Sequence, residues 1–282
     1  MNNLTNYHSH CDYCDGKATA EEFVKEAIRL GFYSYGISSH APLPFATKWS
    51  LDAARVPAYL EELNGLKQRY ADRIELYLGM EIDYLTEEHQ PANDYFQSLP
   101  LDYRIGSVHL LHDVNGVLAD IDVSPEKFAV LVRERFDNDL KGLVCAYFDK
   151  LMRMVQTGGF DFVGHADKIS MNASFCESDI TSQSWYQEKI NAYFTLIAST
   201  DLMVEINTKA FSTKGFFFPN RQHFKLLREL AIPVLVNSDS HQLHLINDGR
   251  MEALRALKEN GIQCVRELHA GRWIEKPIVI SY

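Results

Sequence analysis

No run of 18 or more apolar residues occurs in the chain, and its opening, MNNLTNYHSHCDYCDG, lacks the apolar stretch of a secretory signal. No membrane partner is therefore expected, and the cytoplasm is the expected location. Cysteine is scarce: the five residues, Cys11, Cys14, Cys145, Cys176 and Cys264, are odd in number and scattered, which argues against a disulfide framework. Cys11 and Cys14 form a CxxC, but no second pair completes a four-cysteine zinc site, so ordinary reduced thiols are expected. Positive charge is also short. Against 38 Asp and Glu there are 28 Lys and Arg, a formal net charge of −10, which disfavours a broad nucleic-acid-binding surface. A small phosphorylated substrate is compatible with that balance, because metal ions reverse the local field. No internal repeat, low-complexity tract or Pro/Gly/Ser-rich linker divides the chain, and 282 residues suit one α/β barrel, so a single domain over residues 1–282 is expected.

What the chain has is alternation. Short β-branched and aromatic runs end at His10 (LTNYHSH), His40 (YSYGISSH), Asp83 (IELYLGMEID), His109 (YRIGSVH), His165 (FDFVGH), Asn207 (LMVEIN) and Asp239 (IPVLVNSD). Segments of helical period separate them. Thr19 and Glu22 make a capping box ahead of Phe23, Val24, Ala27, Ile28 and Leu30. Pro57 suits the start of a helix, Ser124-Pro125-Glu126 opens another that runs to Leu140, and 183–199 and 244–260 read as two more. Such alternation implies a parallel sheet covered by helices, either closed or doubly wound. The polar endings favour the closed form, a distorted TIM-like barrel of seven β/α units. In a barrel the C-terminal ends of all strands converge on one site, whereas an open sheet needs such endings only at its switch point.

Those endings carry the chemistry. His8 and His10 are spaced i, i+2, so in a strand both imidazoles face one side. Asp239 and His241 repeat the spacing after another apolar run, and a buried Asp is rare unless paired or bound to a metal. Asp15, His40, Glu81, His109 and His165 complete a set of six His, two Asp and one Glu. That exceeds the three protein ligands of one catalytic zinc and suits two or three divalent ions, with Glu81 as a bridge. Mixed imidazole and carboxylate donors suit Zn, Fe or Mn. His89, His112, His223, His244 and His269 lack strand-end placement and read as structural or surface residues.

The pattern HxH, Asp, His, Glu, His, His, DxH resembles the polymerase and histidinol phosphatase (PHP) family. Here it runs as His8-Ser9-His10, Asp15, His40, Glu81, His109, His165 and Asp239-Ser240-His241. Within the family, Gly106-Ser107-Val108-His109 and the length resemble most the monofunctional histidinol-phosphate phosphatases. The resemblance implies three metal ions. One would be held by His8, His10, Glu81 and Asp239, a second by Glu81, His109 and His165, and a third by Asp15, His40 and His241. It also implies hydrolysis of L-histidinol phosphate, with Glu81, Asp239 and His241 catalytic and Asp239 or a histidine near the third ion protonating the leaving oxygen.

The segment after His165 departs from the family pattern, in which a basic residue is expected a little further on. Lys168 is the substitute, and Lys209, Lys214 and Arg221 are the other candidate phosphate contacts. A PHP phosphodiesterase or nuclease would keep the same ligands, with the net charge counting against long nucleic acids. A metal-dependent amidohydrolase would share the HxH opening but typically needs a bridging lysine at a strand end, and no strand here ends in Lys.

Overall fold

A computed structural model of the protein describes residues 3–280. In chain order the first six strands are β1 (Thr5–Asn6), β2 (Ser34–Ile37), β3 (Glu75–Asp83), β4 (Tyr103–Ser107), β5 (Leu110–His112) and β6 (Leu118–Asp120). They are followed by β7 (Phe162–Val163), β8 (Met203–Asn207), β9 (Val234–Asn237), β10 (Cys264–His269) and β11 (Arg272–Pro277). Seven of them form one parallel sheet in the order β1-β2-β3-β4-β7-β8-β9. The edges of that sheet meet through backbone and side chain: Tyr7 N–H donates to Asn237 Oδ1 (2.7 Å), Ser238 N–H donates to Asn6 Oδ1 (2.8 Å), and Ser9 pairs with Ser240 in a parallel bridge. The result is the distorted seven-stranded barrel expected from the sequence. β5–β6 and β10–β11 are antiparallel hairpins outside it.

The expected helix starts recur. Thr19 caps Ala20–Leu30 with the full box to Glu22, burying Phe23, Val24 and Ala27. Pro57 lies in the first turn of Val56–Arg69, and Ser124 caps Pro125–Arg135. That last segment stops short of Leu140. Asp137 and Asn138 take left-handed φ values of 50° and 57°, which these two residue types tolerate, and Asp139 then caps a separate helix, Leu140–Thr157. The 244–260 segment also shortens, to Arg250–Glu259, because Gly249 (φ 64°) breaks it.

Aromatic side chains fill the N-terminal end of the barrel: Tyr7, Tyr77, Tyr103, Phe162 and, from the β10–β11 hairpin, Trp273 as a plug. Tyr103 lies across the lumen and donates to Tyr7 O at 2.6 Å. It fits because β2 and β3 present glycine there: a Cβ at Gly36 or Gly79 would come within 2.3 or 2.2 Å of the Tyr103 side chain. With that end packed solid, the polar residues are left to the C-terminal ends of the strands.

Candidate metal centre

The barrel seam sets the first two pairs of candidate ligands. His8 and His10 flank Ser9, Asp239 and His241 flank Ser240, and the two serines are partners. His10 N–H donates to Ser240 O (2.9 Å) and Ser240 N–H to His8 O (3.3 Å), so the flanking side chains emerge on one face. Beside them His40 bridges to Glu81 in the same parallel sense. His109 follows β4, and His165 follows β7 after Gly164, where a Cβ would stand 2.9 Å from Ser107 Oγ and push the loop off the centre. His165 and Asp239 both hold left-handed backbone, φ 30° and 48°, a strain of the kind that collects at functional sites.

Glu81 is the hub, fully buried. Its Oε2 lies 2.9 Å from His40 Nδ1, 3.2 Å from His8 Nε2 and 3.4 Å from His10 Nε2. Its Oε1 lies 2.8 Å from His165 Nε2 and 3.6 Å from His109 Nε2, and accepts from Ser107 Oγ at 2.6 Å. Asp239 Oδ1 is 3.2 Å from His10 Nε2 and 3.8 Å from His8 Nε2. Asp15 Oδ1 is 3.2 Å from His241 Nε2 and 3.9 Å from His40 Nε2. The structure thus brings all nine sequence-derived candidates together.

Burial raises the Glu81 carboxyl, but the charges of His8, His40 and His109 and the bond from His165 hold it well below the usual range. Asp239 is likewise opposed by burial and held low by Lys209 and His8. Burial lowers His10 and His165, with neighbouring cations adding to it. It acts the same way on His8 and His109, where carboxylates overturn it: Glu205, Glu81 and Asp239 raise His8, and Asp83 and Glu81 lift His109 to about 9. The surplus of negative charge that draws protons there draws a divalent cation equally.

Six buried atoms of this set have no hydrogen-bond partner: His165 Nδ1, and, around Glu81 and Asp15, His8 Nε2, His10 Nε2, Asp15 Oδ1, His40 Nδ1 and Glu81 Oε2. The last five face one another at short range without hydrogen-bonding geometry, which is costly unless a cation satisfies them together. Glu81, His109 and His165 form one group with donor atoms within 4.8 Å of one another; His8, His10 and Asp239 form a second, His10, Asp15, His40 and His241 a third, and His40, Asp83 and His109 a fourth that shares its histidines with the others. The donor set fits two or three divalent ions.

Two carboxylates that sequence reasoning did not count as site residues orient the imidazoles. Glu205 Oε1 lies 2.7 Å from His8 Nδ1, while Oε2 accepts from His165 N–H (2.8 Å) and Asn207 Nδ2 (2.9 Å). Asp83 Oδ1 accepts from His109 N–H at 2.8 Å, and Oδ2 sits 3.0 Å from its Nδ1. Such partners fix ring orientation and raise ligand basicity. Glu205 carried the signal that singled out Glu81, an acid inside an apolar strand run. Glu205→Gln is expected to weaken metal binding about 10–100-fold, measured by competition with a chromophoric chelator. Unchanged affinity would remove this orienting role.

A cavity of about 120 Å³ opens onto the cluster, lined by Asp15, His40, His109 and His241 and by Trp49, Asp120, Asp122 and Lys209. Of the four basic candidates, Lys209 lines it, with Nζ 3.1 Å from Asp239 Oδ1. Lys168 is near but held by Asp122 at 2.5 Å. Lys214 is exposed on the short helix Phe211–Lys214 and does not line the cavity. Arg221 pairs with Glu259 on the surface, also outside the lining. Larger clefts, of about 750 and 480 Å³, lie elsewhere and have none of the nine candidate ligands among their lining residues. Of the remaining histidines, His112, His244 and His269 are exposed, and His223 is buried 3.7 Å from Asp167. Among the described residues no helix is long and apolar enough to cross a membrane.

The chain is similar to several known proteins. The probable histidinol-phosphatase of Deinococcus radiodurans is 25% identical over 275 residues, covering 95% of this chain and 98% of that one. The histidinol-phosphatase of Lactococcus lactis is 24% identical over 240 residues, 83% of each chain. A Lactococcus lactis histidinol phosphate phosphatase solved with zinc, L-histidinol and phosphate shares the fold at a TM-score of 0.68, with 20% identity over 96% of this chain and 98% of that one. A candidate histidinol phosphatase of Listeria monocytogenes superposes at a TM-score of 0.74, 25% identical over 88% of this chain and 99% of its own. The family model of the PHP domain matches residues 6–209, well over half of the chain, and the protein belongs to the PHP domain family.

Proposed function

We propose that the protein is a metal-dependent phosphomonoesterase that converts L-histidinol phosphate to L-histidinol and phosphate. The observation that carries this reading is the gathering of nine imidazole and carboxylate side chains, Glu81 among them, beside a cavity with a lysine on its wall. The names of the curated relatives supply the substrate. The chain acts as one catalytic unit, since its candidate ligands run from His8 to His241. It works in the cytoplasm, a location that suits five free thiols.

His8, His10, Glu81 and Asp239 would hold one ion, Glu81, His109 and His165 a second, and Asp15, His40 and His241 a third. Imidazole with carboxylate favours Zn, Fe or Mn, and zinc accompanies the Lactococcus protein. Bound ions supply an activated water and neutralise phosphoryl charge. The chain's own groups do the rest. Lys209 Nζ, on the cavity wall, is placed to take a phosphoryl oxygen in exchange for Asp239. With His241 and Asp239 both assigned to ions and Asp239 held anionic, the leaving alkoxide would take its proton from water in the cavity beside them.

The test is kcat/KM for L-histidinol phosphate against a neutral aryl phosphate and a short dinucleotide. Preference for histidinol phosphate by about two orders of magnitude or more is expected, because a site built to pair an amine leaves its own polar groups unpaired with neutral analogues. Equal turnover of either alternative would make the protein a general phosphoesterase.

A further inference from the structure

We infer that Asp120 and Trp49 form a subsite of the cavity that selects phosphate esters carrying a positively charged group on the leaving alcohol. The inference rests on the phosphomonoesterase reading and specifies which residues give it selectivity.

The backbone ties Asp120 to the candidate metal ligands. β5 begins immediately after His109, Leu110 pairs with Asp120 across the hairpin, and Ile121 N–H donates to His109 O at 3.0 Å. The two carboxylates that this strand end puts in the cavity wall are not equivalent. Asp122 is already satisfied by Lys168 Nζ at 2.5 Å. Asp120 accepts only the backbone N–H of Asp122, at 2.8 Å, through Oδ1. Among the described residues it forms no ion pair with any Lys, Arg or His. Burial pushes its carboxyl up, and the charge of Asp122 adds to that push. A half-buried carboxylate with a free oxygen on a cavity wall is a ready acceptor for an ammonium group.

Trp49 supplies the second wall. Thr47 Oγ1 accepts from the N–H groups of Trp49 (3.3 Å) and Ser50 (2.9 Å), which fixes the loop. The indole then meets two candidate ligands edge-on, at 4.9 Å from His40 and 5.7 Å from His109 between ring centroids. An indole at a partly desolvated site attracts cations and stacks on planar rings. Lys209 beside Asp239 offers a cation for phosphate, so the same cavity carries one group for each end of a zwitterionic ester.

The test compares aminopropyl phosphate with propyl phosphate, and L-histidinol phosphate with both. In Asp120→Asn the ratio of kcat/KM for the amino ester over the plain ester is expected to fall about tenfold or more, mainly through KM, since a hydrogen bond to a charged group is lost. Asp120→Glu, which keeps the charge, is expected to restore part of that ratio, and Trp49→Leu to lower it several-fold. A ratio unmoved in Asp120→Asn and Trp49→Leu overturns the subsite. Strong wild-type preference for aminopropyl over propyl phosphate, without efficient turnover of histidinol phosphate, overturns the substrate assignment but supports the subsite. A preference for histidinol phosphate that survives Asp120→Asn does the reverse.

Discussion

Glutamine at position 81 is expected to lower kcat/KM for phosphate release by about a thousandfold or more, ~4 kcal/mol of barrier at ~1.4 kcal/mol per decade. The substitution keeps the shape of the side chain and removes its charge. Both Glu81 oxygens are engaged, Oε2 facing His8, His10 and His40 and Oε1 facing His109 and His165. An amide has one good acceptor oxygen and two N–H donors, so it cannot present an anionic oxygen to each of two cations. The buried imidazoles would also lose the carboxylate that balances any positive charge placed among them. The comparison is His112→Ala, an exposed residue on the β5–β6 hairpin, expected to stay within about twofold of the parent as surface substitutions do. Steady-state kinetics on the two variants, with thermal melting to check folding, decides the matter. Similar activities would contradict the placing of Glu81 at the hub.

Removing metal is expected to have a comparable effect. Dialysis against a strong chelator should take activity to background, and readdition of Zn, Mn or Fe(II) should restore it. Elemental analysis should find two to three ions per chain. The buried ligand atoms without hydrogen-bond partners predict a stability change as well, because an ion that binds only the folded chain stabilises it by about 4 kcal/mol when present at ~1,000 times its Kd. The melting temperature should therefore drop on chelation and recover with metal. One ion or fewer per chain, with full activity, would sink the multinuclear arrangement.

Much of this was legible in the sequence. Polar residues at the ends of apolar runs pointed to a closed barrel, and the i, i+2 spacing of His8/His10 and Asp239/His241 pointed to one face, because strand geometry is local and periodic. Glu205 shows where such reading stops. It lies inside LMVEIN as Glu81 lies inside LYLGMEID, yet which of two buried acids faces the centre and which orients His8 depends on strand order. Asp83 was seen as a strand end, but its grip on His109 depends on β3 and β4 lying in register. Trp49, Asp120 and Asp122 come from a loop and a hairpin whose convergence no period announces. Basic residues were the least legible: Arg221 and Lys209 look alike in sequence, and only tertiary placement gives one Glu259 and the other Asp239. The helix that opens at Ser124 ends before Leu140 because Asp137 and Asn138 in left-handed backbone break it, a break that leaves hydrophobic periodicity almost undisturbed.

The Ser9–Ser240 seam has a consequence for how the enzyme is made. β3, β4 and β7 are neighbours, so Glu81, His109 and His165 can meet once residue 165 has left the ribosome. The two groups that contain Asp239 or His241 join them to His8, His10 and Asp15, and they stay open until residue 241 has been synthesised. A nascent or truncated chain can therefore assemble the groups around His109 but not those that need Asp239 or His241. Full loading becomes a late event, coupled to β9 docking beside β1.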